Sequence, residues 1–293
     1  MRIGMHNWMR PEPLEVTLKR LHDLGFGGIE IMGEPRKYDV KEVRKLLDQY
    51  QIECYGSVSV MAAGHDLIHA SPYIREASIQ YAKECVDLSA ALGGNMMTLV
   101  PSEVGKTVAM ADPETEWQWA IECIREIADH AAKVHIRVGL EPINRFETNF
   151  LCRHDQALRL ADDVDRENIG VTLDVFHLNI EEVDLYQAIL NTGSRLVDIH
   201  IADNNRFPPG QGAFDWPKII ATLKQANYQG WLTGEFVVPT DRSPLARQED
   251  TTGVNLSDAE MKFIRDHGSD YISDATYTEY VAATIQHLRA SGA

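Results

Sequence analysis

The stretch Arg137–Asp174, RVGLEPINRFETNFLCRHDQALRLADDVDRENIGVTLD, decides the fold. It opens with a short apolar run, Arg137–Glu141, that closes on a carboxylate. It ends with a second such run, Ile169–Asp174, that also closes on a carboxylate. A longer segment separates the two. Strand, longer segment, strand is the order of a βα unit feeding a parallel sheet, because parallel neighbours need a crossover between them.

Working outward, the same alternation recurs. Downstream lie Val197–Ala202 and Trp231–Glu235; upstream lie Asn95–Val100, Cys54–Val60, Gly28–Met32 and Ile3–Asn7. Each run is short enough to be a barrel stave, and there are eight. The expectation is an α/β chain folded as a (β/α)8 TIM barrel, one domain spanning residues 1–293, a length such barrels routinely fill.

Between the staves, Ser78–Leu92 keeps an apolar face through Tyr81, Ala82, Cys85, Val86, Leu88, Ser89 and Leu92, and Glu116–Lys133 does likewise. Gly93-Gly94 ends the first of these, while Pro13 and the Asp215–Pro217 turn are helix-start chemistry. Two stretches exceed a minimal barrel. Residues 101–113 form a loop after strand four, and residues 239–274 form a polar C-terminal insertion after strand eight, with a helix expected over Ser257–His267. Loops at this end of a barrel commonly shape the site or an oligomer contact.

Of 293 residues, 44% are hydrophobic, and 28 Lys and Arg face 44 Asp and Glu for a formal charge of -16. That charge repels nucleic acid and anionic membrane surfaces. Cys54, Cys85, Cys123 and Cys152 form no CxxC pair, which reads as reduced, buried thiols. The start, MRIGMHNWMRPEP, lacks a signal-peptide hydrophobic region, and no apolar run reaches the ~18 residues of a membrane helix. A cytoplasmic protein is expected.

Chemistry in such a barrel belongs at the C-terminal ends of the strands. Four consecutive strands end in metal-ligand types: Glu141 on strand five, Asp174 on six, His200 on seven and Glu235 on eight. Singly, each has a plain explanation, since a strand-end carboxylate can cap the next helix. Together, four adjacent staves aim them at one point. Three carboxylates and an imidazole form a mostly oxygen site, which suits one divalent ion, Mn²⁺ first, with Co²⁺ or Mg²⁺ as alternatives. Trp8, just after strand one, is the tryptophan best placed to give the site an aromatic wall, with His6 a weaker neighbour. Most of the tryptophans, which also include Trp117, Trp119, Trp216 and Trp231, are read as core.

Three runs carry a family resemblance: Glu141-Pro142-Ile143-Asn144-Arg145-Phe146-Glu147-Thr148-Asn149, Leu173-Asp174-Val175-Phe176-His177-Leu178-Asn179-Ile180-Glu181-Glu182 and Asn205-Arg206-Phe207-Pro208-Pro209-Gly210. Over roughly Gly139–Glu235 the chain resembles the ketose 3-epimerases of the tagatose and psicose (allulose) type, among the xylose-isomerase-like barrels. The resemblance implies a metal held by Glu141, Asp174, His200 and Glu235, with Glu147, His177 and Arg206 contacting the sugar. It fades where Phe236-Val237-Val238 follows Glu235 in place of the family's usual proline, and in the first three strands.

The resemblance further implies proton transfer at C3 of a ketose through a cis-enediolate, with Glu141 and Glu235 as the acid–base pair on opposite faces. The same site would serve an aldose–ketose or keto-acid isomerase. It would also serve an enolising lyase or deglycosylase acting on a 3-keto glycoside, for which a hetero-subunit is conceivable. No clustered Lys or Arg cradles a phosphate, and the Gly210-Gln211-Gly212 turn is read as only a turn. The partners expected are a small sugar and further copies of the chain, as a homodimer or homotetramer, with no nucleic acid and no membrane.

Overall fold

A computed structural model describes residues 1–62, 64–238 and 272–293. Eight parallel strands close on themselves in sequential order: β1 (Arg2–His6), β2 (Gly28–Met32), β3 (Glu53–Val58), β4 (Met96–Leu99), β5 (Arg137–Leu140), β6 (Ile169–Asp174), β7 (Leu196–Ile201) and β8 (Trp231–Gly234). This is the (β/α)8 barrel expected. All eight predicted runs are strands, two of them with the predicted ends and the rest shifted by a residue or two.

Helices cross between the staves: α1 (Leu14–Leu24), α2 (Val40–Tyr50), α3 (Pro72–Leu92), α4 (Pro113–Lys133), α5 (His154–Val164), α6 (Val175–Glu181), α7 (Leu185–Thr192) and α8 (Trp216–Gln225), and α9 (Asp274–Ala290) closes the ring. α3 and α4 begin earlier than their apolar faces suggested. Each starts on a proline, whose fixed φ suits the first turn, and the Asp112 carboxylate accepts the Thr115 N–H ahead of α4. Pro113 therefore belongs to α4 and not to the loop before it. The helix expected over 257–267 lies outside the described residues.

Period-two alternation along the staves builds two separate interiors. Ile29 and Ile31 of β2, Val138 and Leu140 of β5, Val171 and Leu173 of β6, and Ile199 and Ile201 of β7 join the large core between barrel and helices. The opposite faces line the barrel. At its N-terminal end a second cluster of Tyr55, Met96, Val197 and Trp231 fills the lumen, with Tyr55 stacked on Trp231 at 4.2 Å between ring centroids. Glycines make the room: a Cβ on Gly28 would strike Trp231, and one on Gly56 would strike Met96.

Polarity then rises toward the mouth. One layer up, Asp198 accepts hydrogen bonds from Thr233 Oγ1 at 2.6 Å and from the Tyr228 hydroxyl at 3.1 Å. Above that come the side chains of the candidate site. Burial holds Cys54, Cys85 and Cys123 as free thiols in the core, whereas Cys152, also free, is partly exposed and corrects the expectation of four buried thiols. Among the described residues no helix is long and apolar enough to cross a membrane.

Gly170 on β6 tests the tight seam between staves, because a Cβ there would meet the Arg195 carbonyl and the Val197 side chain, and backbone cannot give way. Gly170→Ala is expected to destabilise the protein by about 1–3 kcal/mol. The check is urea unfolding, with a lower midpoint at unchanged slope. An unchanged midpoint would mean that the β6–β7 seam yields.

Candidate metal centre and active site

Glu141 follows the last residue of β5, Asp174 ends β6, His200 lies one residue inside the end of β7, and Glu235 follows β8. Parallel register sets Asp174 beside His200 and His200 beside Thr233, so consecutive staves deliver their side chains at one height. One ligand atom from each of Glu141, Asp174, His200 and Glu235 falls within 4.8 Å of the others, and all four residues are buried. His200 Nδ1 sits at the centre, 3.0 Å from Glu141 Oε1 and 3.1 Å from Glu235 Oε2. Asp174 divides its labour: Oδ1 caps α6 by accepting the Phe176 N–H at 2.8 Å, and Oδ2 pairs with Arg206 Nη1.

The electrostatics are those of a concentrated negative charge in a dry place. For Glu141, burial first, then Glu235 and Asp174, raise the pKa against the pull of His200. For Glu235, burial is outweighed by Arg206 and His200, which hold it well below the ordinary carboxylate range. Burial also opposes charge on His200, yet Glu141, Glu235 and Glu30 outweigh it and lift the imidazole well above its usual value. The two glutamates thus sit in environments that push them apart, a condition suited to acid–base work. Glu235 Oε2 is fully buried without a well-aligned hydrogen bond, although Arg206 Nη2 lies 3.2 Å away. A divalent cation fits this set: hard oxygen donors, one imidazole and an excess of buried negative charge.

Beneath this cluster lies a layer of which the sequence reading singled out only His6. Glu30, the only charged residue in the β2 run Gly-Ile-Glu-Ile-Met, is fully buried and places Oε2 3.1 Å from His200 Nε2 and 3.1 Å from His6 Nε2. His6 stands edge-on to His200, with centroids 4.6 Å apart, and its pKa is lowered chiefly by burial. Asp198 lies 3.8 Å from His200 Nε2, and burial together with Glu30 pushes its pKa up to about 8. The signal was available in the strand pattern: an acid at an inward position of an apolar stave needs a partner.

A cleft opens above Glu141 and Glu235. Trp8, Glu147, His177 and Arg206 all line it. His177 is fixed by Asn144, whose backbone N–H donates to His177 Nδ1 at 3.2 Å while Asn144 Nδ2 lies 2.8 Å from the same atom. Nε2 therefore carries the proton, and it lies 3.6 Å from Asp174 Oδ2. Asn144 Nδ2 also donates to Glu147 Oε1 at 2.7 Å, so one amide ties two of the predicted sugar contacts together. Arg206 takes a left-handed backbone, φ 66°, and its guanidinium packs over Phe176.

The loop after β4 forms the facing wall through Val100 and Val104, alongside Val58, Met61 and Ile143. It is stitched in place by the Lys106–Asp66 ion pair at 2.6 Å, by Gly105 N–H donating to the Glu147 carbonyl at 2.7 Å, and by Ser102 paired with Thr148. The remaining tryptophans lie elsewhere: Trp216 and Trp231 are buried in the core, while Trp117 donates to Asp163 and Trp119 sits under Arg75. The Gly210–Gly212 turn is held by Asp203, which accepts the Gly210 N–H at 2.9 Å.

Fold and cluster together define a class, barrels that gather acidic and imidazole donors from consecutive staves at their C-terminal mouth. The chain belongs to the xylose isomerase-like TIM barrel family, whose model matches residues 18–267. Among curated proteins it is similar to the L-ribulose 3-epimerase of Methylomonas sp. (strain DH-1), 32% identical over 213 residues, covering 72% of this chain and 74% of that one. It is also similar to the 3-dehydro-D-guloside 4-epimerase of Escherichia coli (strain K12), 27% identical over 245 residues, covering 80% and 92%. Among solved structures, the D-psicose 3-epimerase of Clostridium cellulolyticum H10 with D-tagatose superposes at a TM-score of 0.83 over 99% of both chains, at 22% identity, a likeness of fold.

Because a ligand that binds only the folded state raises stability by mass action, Mn²⁺ at 100 times its Kd is expected to add about 2.7 kcal/mol. Thermal unfolding of chelator-treated protein with and without Mn²⁺ reads this directly. Asp174→Asn should erase most of the gain. A wild type indifferent to Mn²⁺, Co²⁺ and Mg²⁺ alike would remove the metal centre.

Proposed function

We propose that the chain is a divalent-metal-dependent sugar epimerase that inverts C3 of a ketose through a cis-enediolate. The observation that carries this reading is the meeting of Glu141, Asp174, His200 and Glu235 beside a cleft that Glu141 and Glu235 line, with two glutamates flanking one imidazole nitrogen. The epimerase names of the relatives support it.

In this reading Glu141, Asp174, His200 and Glu235 hold one ion, Mn²⁺ by the oxygen-rich donor set. When bound, the ion supplies Lewis acidity that lowers the cost of negative charge on the ketose oxygens. The chain's own groups do the rest. One of Glu141 and Glu235 takes the C3 proton while the C–H pair forms a C2–C3 double bond and the C2 carbonyl π pair moves onto O2; the other glutamate then protonates C3 from the opposite face as the C2 carbonyl re-forms. Positioned acids and bases of this kind contribute ~10² to 10⁴ in rate. His177, with its proton on Nε2, donates to a substrate oxygen; Arg206 and Glu147 hold hydroxyls, and Trp8 packs against the C–H face of the sugar. We assign the chain to one domain, to the cytoplasm and to a homodimer or homotetramer.

Replacing Glu141 or Glu235 singly by Gln is expected to lower C3 solvent-deuterium exchange at least ~10²-fold, measured by NMR on free ketoses. Retained exchange in either variant would remove that residue from the proton transfer. The same assay run with a 3-keto glycoside separates the epimerase from an enolising lyase, because the lyase would release the aglycone. Keto glycosides earn this control because one relative carries a 3-dehydro-D-guloside in its name.

A further inference from the structure

Glu30 is a buried carboxylate that the proton-transfer scheme does not use. It is 0% exposed in the middle of β2, between Ile29 and Ile31, which face the outer core. A carboxylate taken out of water costs several kcal/mol unless something repays it. No Lys or Arg lies within ion-pair distance of it among the described residues; its near neighbours are two imidazoles and the Thr98 side chain. The register of β2 against β3 shifts beside it, between Ile29 and Glu30, an irregularity of the kind that re-aims a side chain.

The geometry of His200 says what Glu30 is for. Nδ1 faces Glu141 and Glu235 at 3.0 and 3.1 Å, on the side of the candidate metal. Nε2 faces the other way and hydrogen-bonds Glu30 Oε2 at 3.1 Å. An imidazole that gives the Nδ1 lone pair to a cation must carry its proton on Nε2, and that proton needs an acceptor. Asp198 is too far at 3.8 Å, and its two oxygens already accept from Tyr228 and Thr233.

We propose that Glu30 is a positioning residue of the metal centre, accepting the Nε2–H of His200 and so holding the ring in the tautomer and orientation that present Nδ1 to the ion. This rests on the metal reading above. The same oxygen lies 3.1 Å from His6 Nε2 without making a hydrogen bond to it, so the bracing runs through His200 alone.

The test is Mn²⁺ affinity by titration calorimetry on wild type and Glu30→Gln, with thermal unfolding of both metal-free proteins. A positioning role lowers affinity about 10–100-fold, read at a temperature where both metal-free proteins are folded. A role confined to packing would lower the metal-free midpoint and leave affinity alone, which overturns the proposal. A second measurement needs no variant: in Co²⁺-loaded wild type, the shifted proton spectrum should contain an exchangeable His200 Nε2–H signal, lost in D₂O, and its absence also overturns the proposal. If wild type binds neither Mn²⁺ nor Co²⁺, the metal reading fails and takes this one with it. If wild type binds Mn²⁺ and Glu30→Gln binds it equally well, only the positioning role fails.

Discussion

Three carboxylates brought out of water at one point are the constraint on which the rest of the site depends. Glu141, Asp174 and Glu235 repel one another across a few ångströms, and nothing in a hydrocarbon core would keep them there. What answers them is positive charge: Arg206 pairs with Asp174 and approaches Glu235, and His200 is driven toward its protonated form. A protein that spends stability on such a cluster gains chemistry from it, since the same field that strains the site grips a divalent cation.

The barrel makes the cluster possible by grading its lumen. Aromatic and apolar side chains plug the N-terminal end, Asp198, Thr233 and Tyr228 form a hydrogen-bonded middle, and the charged groups stand at the mouth. Each layer rests on the one below, so the imidazole at the centre is held by packing as well as by charge. The outer core of Ile, Leu and Val contributes the rigidity that keeps four independent staves in register. Loops tied by Lys106–Asp66 and by Asn144 then close the cleft with fixed walls and leave His177 a single tautomer.

Much of this was legible in the residues. The eight apolar runs were visible because buried parallel strands are near-continuous in hydrophobicity, and the four ligand types were visible because three carboxylates close their runs and His200 stands near the end of its own. Glu30 was not seen, although its signal was present, because an acid in the middle of a strand has no motif and its meaning depends on which face points inward. Asp198 lay unnamed inside the Val197–Ala202 run, and its hydroxyl partners, Tyr228 and Thr233, come from elsewhere in the chain. Asn144 lay inside a quoted motif, yet its grip on His177 spans 33 residues and exists only once the β5 loop meets α6. The early starts of α3 and α4 escaped because their first turns are exposed and carry no apolar period.

The most direct measurement is anomalous diffraction at the manganese absorption edge from crystals soaked in Mn²⁺. The account predicts one strong peak at the barrel mouth, within coordination distance of Glu141, Asp174, His200 Nδ1 and Glu235. A crystal with no peak there, or with manganese bound only to other side chains, would contradict it.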